Sequence, residues 1–430
     1  MADAGGVTNR QSPEPELPDI SAIAPGYSAT GFSEDFSELF ADPRLRLVRS
    51  GPGRIVVFRN EDVRKIAAHP AAGNMPFDKL MRRSFLEGAR DGEVGIERRP
   101  ATRRFLEDQI FTANPPRHGP MRQILARQFM PKPVEKLARI ASVVVEDLID
   151  ELCGAGEVDF ATAFAEPLAG RFWQQVFGMT PGERDRTIAA LRAMAPLFFV
   201  TRTPAEIVAI ERATADYQEV LATALERAAV DGGNELLASM QREFDSLEIE
   251  EKPRSFGFWV STNVIDGFHT AAIACVNVLY ALLRTPEALM EAREDEARLP
   301  GALAEGLRML APVMVSNRCA LEDFEYAGTR IPEGTAIAML WAAANRDPAV
   351  FENPNRYDLR RAARTPMTFG GGVHICPGRY AGSMLVSAAL KGLINPRVAI
   401  ELVGARPEWL DRSFMRWADR MTVTISASRK

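Results

Sequence analysis

The sequence predicts a mainly α-helical fold that carries small β-sheets near both ends of the chain. Around residues 45–60, apolar and polar side chains alternate on either side of Gly51, Pro52 and Gly53, which is typical of a β-hairpin. From about residue 120 to 300, apolar side chains recur with helical spacing, and the pattern is interrupted at glycine and proline. After Pro312 the chain returns to short strand-like segments between turns, and residues 420–429 again predict a strand.

The sequence also predicts one domain preceded by a flexible tail. Residues 1–24 are polar and rich in proline, whereas nothing in residues 25–430 resembles a long linker, so we expect a single domain there. The tail has neither the basic start nor the apolar stretch of a secretory signal. No run reaches the roughly 18 to 20 uninterrupted apolar residues of a membrane-spanning helix. We therefore expect a cytoplasmic protein without a membrane anchor.

Composition excludes several classes of function. The 52 basic and 57 acidic side chains give a formal net charge of −5, which argues against a general nucleic-acid binder. The cysteines show no CxxC spacing, so neither disulfides nor a zinc site is expected and a reducing compartment fits. Three of them, Cys153, Cys275 and Cys319, lie in apolar segments, where cysteine usually packs as a small hydrophobe. Only Cys376 lies in a glycine-rich loop.

The loop around Cys376, residues 369–378, reads FGGGVHICPG and precedes an apolar helix. Its glycines leave room for a metal beside the sulfur and allow backbone N–H groups to point at the sulfur. The positive end of the following helix favours a thiolate. The competing interpretation is a glycine-rich turn that holds a buried cysteine by chance.

The segment resembles, at every fixed position, the haem-binding signature FGxGxHxCxG of the cytochrome P450 family. The resemblance implies a cytochrome P450-like multihelical fold with small β-sheets, and haem b (iron protoporphyrin IX) as the cofactor. It makes Cys376 the proximal thiolate ligand of the iron, which donates electron density to it. It also assigns Phe369, Gly370 and Gly378 to the haem-binding loop.

Further family motifs follow the expected order along the chain. In residues 114–122, His118 and Arg122 resemble the pair that meets a haem propionate from one helix face, and the resemblance adds Arg318 and His374 as further propionate contacts. Glu305 and Arg308 match the family's ExxR helix, where a third charged group completes a structural core. The resemblance offers Arg356 or Arg360 as that third partner.

The apolar helix at residues 256–283 takes the place of the family's central helix over the distal haem face. The family usually reads A/G-G-x-D/E-T there, whereas this chain reads DGFHT, with His269 at the acid position. The resemblance makes Thr270 the group that hydrogen-bonds bound dioxygen and Gly267 the residue that loosens the helix. Three interpretations of the missing acid stay open: His269 relays protons, His269 only packs, or Asp266 replaces it from the same face as Thr270.

By resemblance, the chain is a monooxygenase that inserts one oxygen atom from O₂ into a small apolar substrate. Electrons then come from an external ferredoxin or flavodoxin with its reductase, because the sequence carries no flavin, nicotinamide or iron–sulfur motif. A peroxide-driven peroxygenase and a non-catalytic haem-binding sensor or sequestering protein are the alternatives. Candidate pocket residues are Met75, Phe77, Phe198, Phe199, Phe268, Val313 and Met314, all of which are equally compatible with a plain core.

Two groups of basic residues carry partner hypotheses. A substrate carboxylate would suit Arg98, Arg99, Arg103 or Arg104, although ordinary surface charge explains these arginines more simply. A basic face that steers an acidic redox partner, or alternatively a merely solvated helix face, is predicted from Arg122, Arg127, Lys132, Lys136, Arg139 and Arg379.

Overall fold

The computed structural model describes residues 17–25, 35–75, 99–250, 252–362, 366–411 and 413–428, and these are mostly helical. The helical body and the terminal strands predicted from the sequence are both present. In chain order, the helices are α1 (Ile20–Ile23), α2 (Ser37–Phe40), α3 (Asn60–Ala67), α4 (Pro100–Glu107), α5 (His118–Gln128), α6 (Pro131–Glu135), α7 (Ala138–Leu152), α8 (Glu166–Phe177), α9 (Pro181–Met194), α10 (Pro204–Val230), α11 (Glu235–Asp245), α12 (Phe256–Leu283), α13 (Pro286–Glu294), α14 (Leu299–Met309), α15 (Trp341–Ala344) and α16 (Arg379–Leu393).

The strands form small sheets at the edge of the helical body. They are β1 (Leu47–Arg49), β2 (Arg54–Val57), β3 (Ala72–Gly73), β4 (Glu157–Asp159), β5 (Ser316–Ala320), β6 (Phe324–Tyr326), β7 (Thr329–Ile331), β8 (Ala336–Met339), β9 (Val398–Leu402), β10 (Glu408–Trp409), β11 (Ala418–Arg420) and β12 (Thr422–Ala427). The main sheet has the order β1-β2-β8-β5-β3 and a second sheet has the order β4-β12-β9, while β6-β7 and β10-β11 are two-stranded. The predicted hairpin is confirmed, since β1 and β2 pair antiparallel with Val48 opposite Val56.

Helix α12 forms the centre of the helical body. It begins at Ser255, whose side chain accepts a hydrogen bond from the backbone N–H of Phe258. By length and apolar composition α12 is able to cross a membrane, but 78% of its most apolar window is buried inside the protein. It packs against α8, α10, α14 and α16, so it is a core helix with neighbours on several sides. This position makes α12 one wall of any internal site.

Residues 17–24, which the sequence analysis assigns to the tail, lie against the main sheet. Asp19 caps α1 by accepting a hydrogen bond from the backbone N–H of Ser21. The side chain of Ile20 is buried in a cluster with Phe36 and Val48. An apolar anchor in an otherwise polar segment therefore fixes these residues to the main sheet, whereas residues 1–16 lie outside the described part.

A buried ion pair links α14 to the segment before the cysteine loop. The guanidinium of Arg308 donates to both carboxylate oxygens of Glu305, at 2.7 and 2.9 Å. The third partner is Arg361, whose Nε lies 3.0 Å from the Glu305 carboxylate. The prediction of Arg356 or Arg360 is wrong: Arg356 offers its backbone carbonyl to Arg308 and Arg361, and Arg360 pairs on the surface with Glu291.

This network also anchors the cysteine loop. The hydroxyl of Thr368 donates to the backbone carbonyl of Leu307 in α14 at 2.9 Å. The side-chain amide of Asn345 donates to the same hydroxyl at 2.9 Å and accepts from the backbone N–H of Met367. Because these groups are buried and all hydrogen-bonded to one another, they hold the start of the cysteine loop against α14.

Candidate cofactor site

The loop before Cys376 depends on glycine for its path. Gly370 and Gly372 have φ values of +72° and +63°, in the left-handed region that side chains other than glycine rarely adopt. A Cβ at Gly372 would lie 1.9 Å from the carbonyl oxygen of Ala67, the last residue of α3. The backbone N–H of Cys376 donates to the carbonyl of Phe369 at 2.8 Å and closes the loop. The glycines therefore let the loop pass against α3 before it presents the cysteine.

The thiol of Cys376 lies beside the first turn of α16. Burial raises its pKa to about 11, although the backbone N–H of Gly378 donates a hydrogen bond to the sulfur and acts to lower the pKa. The Asp266 carboxylate also raises this pKa, whereas the nearby charges of Arg122 and Arg379 lower it. In the protein alone the sulfur is protonated near neutral pH, and binding a metal ion is what favours loss of that proton. The positive end of α16, which the sequence analysis expects to favour the thiolate, lowers the pKa of Cys376 less than burial raises it.

Four predicted propionate contacts come together beside this loop. The rings of His118 and His374 have centroids 4.1 Å apart, and Arg122 donates to the backbone carbonyl of Ile375, next to the cysteine. His118 is the first residue of α5, Arg122 lies one turn further along it, and Arg318 lies on β5 of the main sheet. We call this set the basic cluster: His118, Arg122, Arg318 and His374.

Asn74, which sequence reasoning missed, holds part of this cluster in place. Its side-chain oxygen accepts a hydrogen bond from Nη1 of Arg318 at 3.2 Å. Its side-chain nitrogen donates to the backbone carbonyl of Ala113 at 2.7 Å and lies 3.4 Å from Nδ1 of His374. Asn74 belongs to no motif that distinguishes it from an ordinary loop asparagine, so only the tertiary structure reveals it.

The basic cluster carries positive charge without an acidic partner among the described residues. Burial, together with the charges of the adjacent arginines, lowers the pKa of His118 to about 4 and that of His374 to about 3, so the positive charge of the cluster near pH 7 lies on Arg122 and Arg318. Burial also lowers the pKa of Arg318 to about 10, and its Nε is buried without a hydrogen-bond partner. Buried cations of this kind require anions with several acceptor oxygens. The two carboxylates of a haem fit that requirement.

The opposite wall is formed by the middle of α12. The hydroxyl of Thr270 donates to the backbone carbonyl of Asp266, one turn earlier. Asp266 shares this face of the helix, and it faces the thiol closely enough to raise the pKa of Cys376. Burial raises the pKa of Asp266 itself to about 6. The structure thus brings Asp266 and Thr270 to the side of α12 that faces the cysteine.

The chain is similar to known proteins in sequence and in fold. The family model described as cytochrome P450 matches residues 210–395. The chain is 26% identical to 6-deoxyerythronolide B hydroxylase of Saccharopolyspora erythraea over 75% of this chain and 79% of that protein. It is 24% identical to cytochrome P450 107B1 of the same organism, over 96% and 99% of the two chains. The solved structure of CalO2 matches with a TM-score of 0.78 at 22% identity, covering 93% of this chain and all of the other.

The chain is therefore similar in sequence and in fold to the cytochrome P450 family. Cys376 and the basic cluster lie at the sequence positions at which the family motifs have the haem-binding residues. Phe369 packs against the main core and Gly378 precedes α16, as the signature loop requires. The family pattern is altered on α12, at Asp266 and His269.

His269, at the position of the usual acid, faces away from the cysteine. Its ring lies 5.5 Å from that of Phe198 and 5.2 Å from that of Trp417, and it lines a small cavity with Glu166 behind α12. The backbone carbonyl of Leu191 accepts a hydrogen bond from the ring, and Nε2 is buried without a partner. Burial lowers the pKa of His269 to about 4, so the ring is neutral near pH 7. These contacts favour the packing interpretation over the proton relay.

Gly267 faces a third direction. Its backbone carbonyl accepts a hydrogen bond from the indole N–H of Trp173 in α8 at 3.2 Å. A Cβ at Gly267 would lie 3.2 Å from a ring carbon of the same indole. The glycine therefore makes room for Trp173, which is a packing reason for it in addition to the helix loosening that the family pattern implies.

Several of the residues proposed for the substrate pocket have other contacts in the structure. Phe268 packs near Trp173, and Met314 lies in the cluster beneath the main sheet, so both contribute to packing. Arg103 pairs with Glu107, and Arg104 is exposed, so neither side chain lies in a buried site for a substrate carboxylate. Phe77 and Arg98 lie outside the described residues.

Proposed function

We propose that this protein is a haem-thiolate monooxygenase in which Cys376 ligates the iron of haem b. The observation that carries the proposal is the basic cluster, because four basic side chains beside the cysteine loop, two of them buried and two half-buried, lack an acidic partner among the described residues. Two propionates would neutralise that excess, and their position beside Cys376 would set the sulfur against the iron. We further propose that residues 25–430 act as one such domain in the cytoplasm.

Each predicted residue has a role in this arrangement. His118, Arg122, Arg318 and His374 would bind the propionates through charge-assisted hydrogen bonds. Phe369 would contribute an apolar contact, Gly370 would permit the turn, and the backbone N–H of Gly378 would donate to the thiolate. The hydroxyl of Thr270 would hold and pass a proton on the distal side, where Gly267 keeps α12 close to Trp173.

When bound, haem would supply the redox-active iron at which one atom of O₂ is transferred to the substrate and the other leaves as water. Two electrons and two protons from outside balance that reaction. The chain contributes position: it holds the thiolate, neutralises the propionates and excludes bulk water with the apolar side chains of α12. We propose a small, largely apolar substrate, consistent with this lining.

An external ferredoxin or flavodoxin, with its reductase, would deliver the electrons. The proposal is supported by the exposed side chains of Lys132, Lys136 and Arg139, on and just after α6, which packs against α16 behind the cysteine loop. Arg379 instead donates to the backbone carbonyl of Cys376, and Arg122 turns into the site, so neither contributes fully to an outer face.

The decisive experiment is the carbon monoxide difference spectrum of the reduced, haem-loaded protein. The wild type is expected to show the red-shifted Soret band of a thiolate-ligated haem, and Cys376→Ser is expected to lose it. Cys153→Ser, which removes an exposed cysteine far from the loop in sequence, should keep the band. A wild-type spectrum without the red shift would overturn the proposal.

A peroxygenase is the second candidate, favoured by one observation. In the described residues, the hydroxyl of Thr270 is hydrogen-bonded to a backbone carbonyl, and His269 faces the other way. A peroxide already carries the electrons and protons that this altered distal side has to manage. Rapid product formation from hydrogen peroxide without a redox partner would favour the peroxygenase over the monooxygenase.

A further inference from the structure

Asp266 is half-buried, and it differs from the buried carboxylates of this protein. It is the only acidic residue in α12, whose 28 residues contain no lysine, arginine or glutamate. The buried carboxylate of Asp62 accepts from Tyr326 and pairs with Arg46, and Glu305 pairs with two arginines. Within the described residues, the carboxylate of Asp266 has neither a hydrogen bond nor an ion pair. It is therefore an acid whose place in the core the fold itself does not explain.

The neighbours of Asp266 on α12 show which way its side chain faces. Gly267 lies against Trp173, and His269 packs between Phe198 and Trp417, so both occupy other faces of the helix. With those two faces occupied, Asp266 lies on the side of α12 that it shares with Thr270, one turn later, and its charge acts on the Cys376 thiol. That is the side on which the proposed function puts the reacting part of the substrate.

The chemistry around Asp266 leaves a cation as its missing partner. The hydroxyl of Thr270 donates to the backbone carbonyl of Asp266 and so does not join the carboxylate in a relay. The hydroxyl of Tyr217, a further neighbour, donates to the carbonyl of Ser261, and its pKa is raised by burial and by Asp266. No arginine, lysine or histidine acts on Asp266, whose pKa is raised by burial alone. An unpaired carboxylate in apolar surroundings is costly, and a cation that enters the pocket removes that cost.

We propose that Asp266 is the recognition group for a positively charged nitrogen on an otherwise apolar substrate. The inference rests on the proposed function and narrows its substrate class to organic cations, such as protonated or quaternary amines. It is an alternative to a substrate carboxylate bound by an arginine, since the acidic residue of α12 is Asp266 and this helix contains no arginine or lysine.

A matched pair of ligands isolates this charge. Benzyltrimethylammonium and neopentylbenzene have almost the same shape, but the first carries a quaternary nitrogen where the second has carbon. The quaternary nitrogen has no lone pair, so it cannot bind iron directly. Dissociation constants of both would be measured at pH 8 by calorimetry and by the absorption of the ferric protein.

The wild type is expected to bind the cation about tenfold more tightly than the neutral ligand, the ratio expected for one charge-assisted contact. Asp266→Asn should abolish that preference and leave the affinity for neopentylbenzene unchanged. Asp216→Asn, which removes the same charge from the exposed pair with Arg186, should keep the preference. Equal affinities in the wild type, no measurable binding of the cation, or a preference that survives Asp266→Asn overturns the proposal.

The carbon monoxide spectrum separates this proposal from the proposed function. If Asp266 only recognises substrate charge, Asp266→Asn keeps the red-shifted band while it loses the cation preference. If the wild type lacks the band, the haem-thiolate proposal fails, and the calorimetric preference still reports on Asp266 by itself.

Discussion

The two walls of the site carry uncompensated charges of opposite sign. On the side of the cysteine loop, the basic cluster presents buried cations with no acidic partner among the described residues, and Arg318 has a buried Nε without an acceptor. On α12, Asp266 presents a carboxylate with no cation. Close by, Glu305, Arg308 and Arg361 bury charges of both signs in mutual contact. The difference indicates that paired buried charges serve the fold, whereas unpaired ones belong to ligands.

The largest expected effect comes from breaking the paired group. Glu305→Ala leaves Arg308, which is 2% exposed, without its counter-charge, and the free energy of unfolding should fall by about 3–5 kcal/mol. Chemical denaturation of the apoprotein measures this. Arg330→Ala, which breaks an exposed pair with Asp323, is the control and should cost less than about 1 kcal/mol. A similar small loss in both variants would contradict the assignment of Glu305 to the structural core.

The unpaired acid should behave in the opposite way. The folded-state pKa of Asp266 is raised from 3.8 to about 6, so its protonated form stabilises the protein below pH 4 and this stability is lost as the pH rises through 6. Asp266→Asn removes the ionised carboxylate and should raise the free energy of unfolding at pH 8 by about 2–3 kcal/mol.

The pH dependence tests the cause of that gain. The difference between Asp266→Asn and the wild type should shrink between pH 6 and pH 4, because the wild-type carboxyl group then becomes neutral in the folded protein. Denaturation curves of the apoproteins at several pH values in this range provide the measurement. A gain that is the same at every pH would mean that amide packing, and not charge, is responsible.

The sequence predicts the residues that lie in family motifs, but not the contacts that depend on the path of the backbone. The cysteine loop and the basic cluster are predicted through the family resemblance, which rests on residues at fixed positions in the glycine-rich loop, on α5 and on β5. Arg361 is not, because Arg356, Arg360 and Arg361 are adjacent in sequence and only the path of the backbone decides which side chain reaches Glu305. The direction of His269 is hidden for a related reason, since an apolar helix that is buried all round shows no periodicity to tell its faces apart.

A third prediction concerns the affinity of the basic cluster for its anions. Arg318→Leu removes a buried cation that lacks an acidic partner, so the apoprotein should be no less stable. Loss of a charge-assisted hydrogen bond, about 1.5–3 kcal/mol, should weaken haem binding about tenfold to a hundredfold. The rate of haem transfer to excess apomyoglobin measures the loss. Arg330→Leu, on the exposed hairpin β6-β7, should transfer haem as the wild type does; equal rates in all three proteins would remove Arg318 from the propionate set.

The smallest effect is expected at His269, although it occupies the position of the family's acid. His269→Asn retains a side-chain N–H for the carbonyl of Leu191 but cannot take up and release a proton near neutral pH. If the ring only packs, the fraction of reducing equivalents lost as hydrogen peroxide should match the wild type, whereas Thr270→Ala should divert most of them to peroxide. Participation in proton transfer is worth about 10²–10⁴ in rate, so the two cases are easily separated. If His269→Asn releases as much peroxide as Thr270→Ala, the imidazole is the proton relay. If the rate of His269→Asn instead depends on pH as the wild-type rate does, protons are passed by Thr270 and water on the face of α12 that carries Asp266.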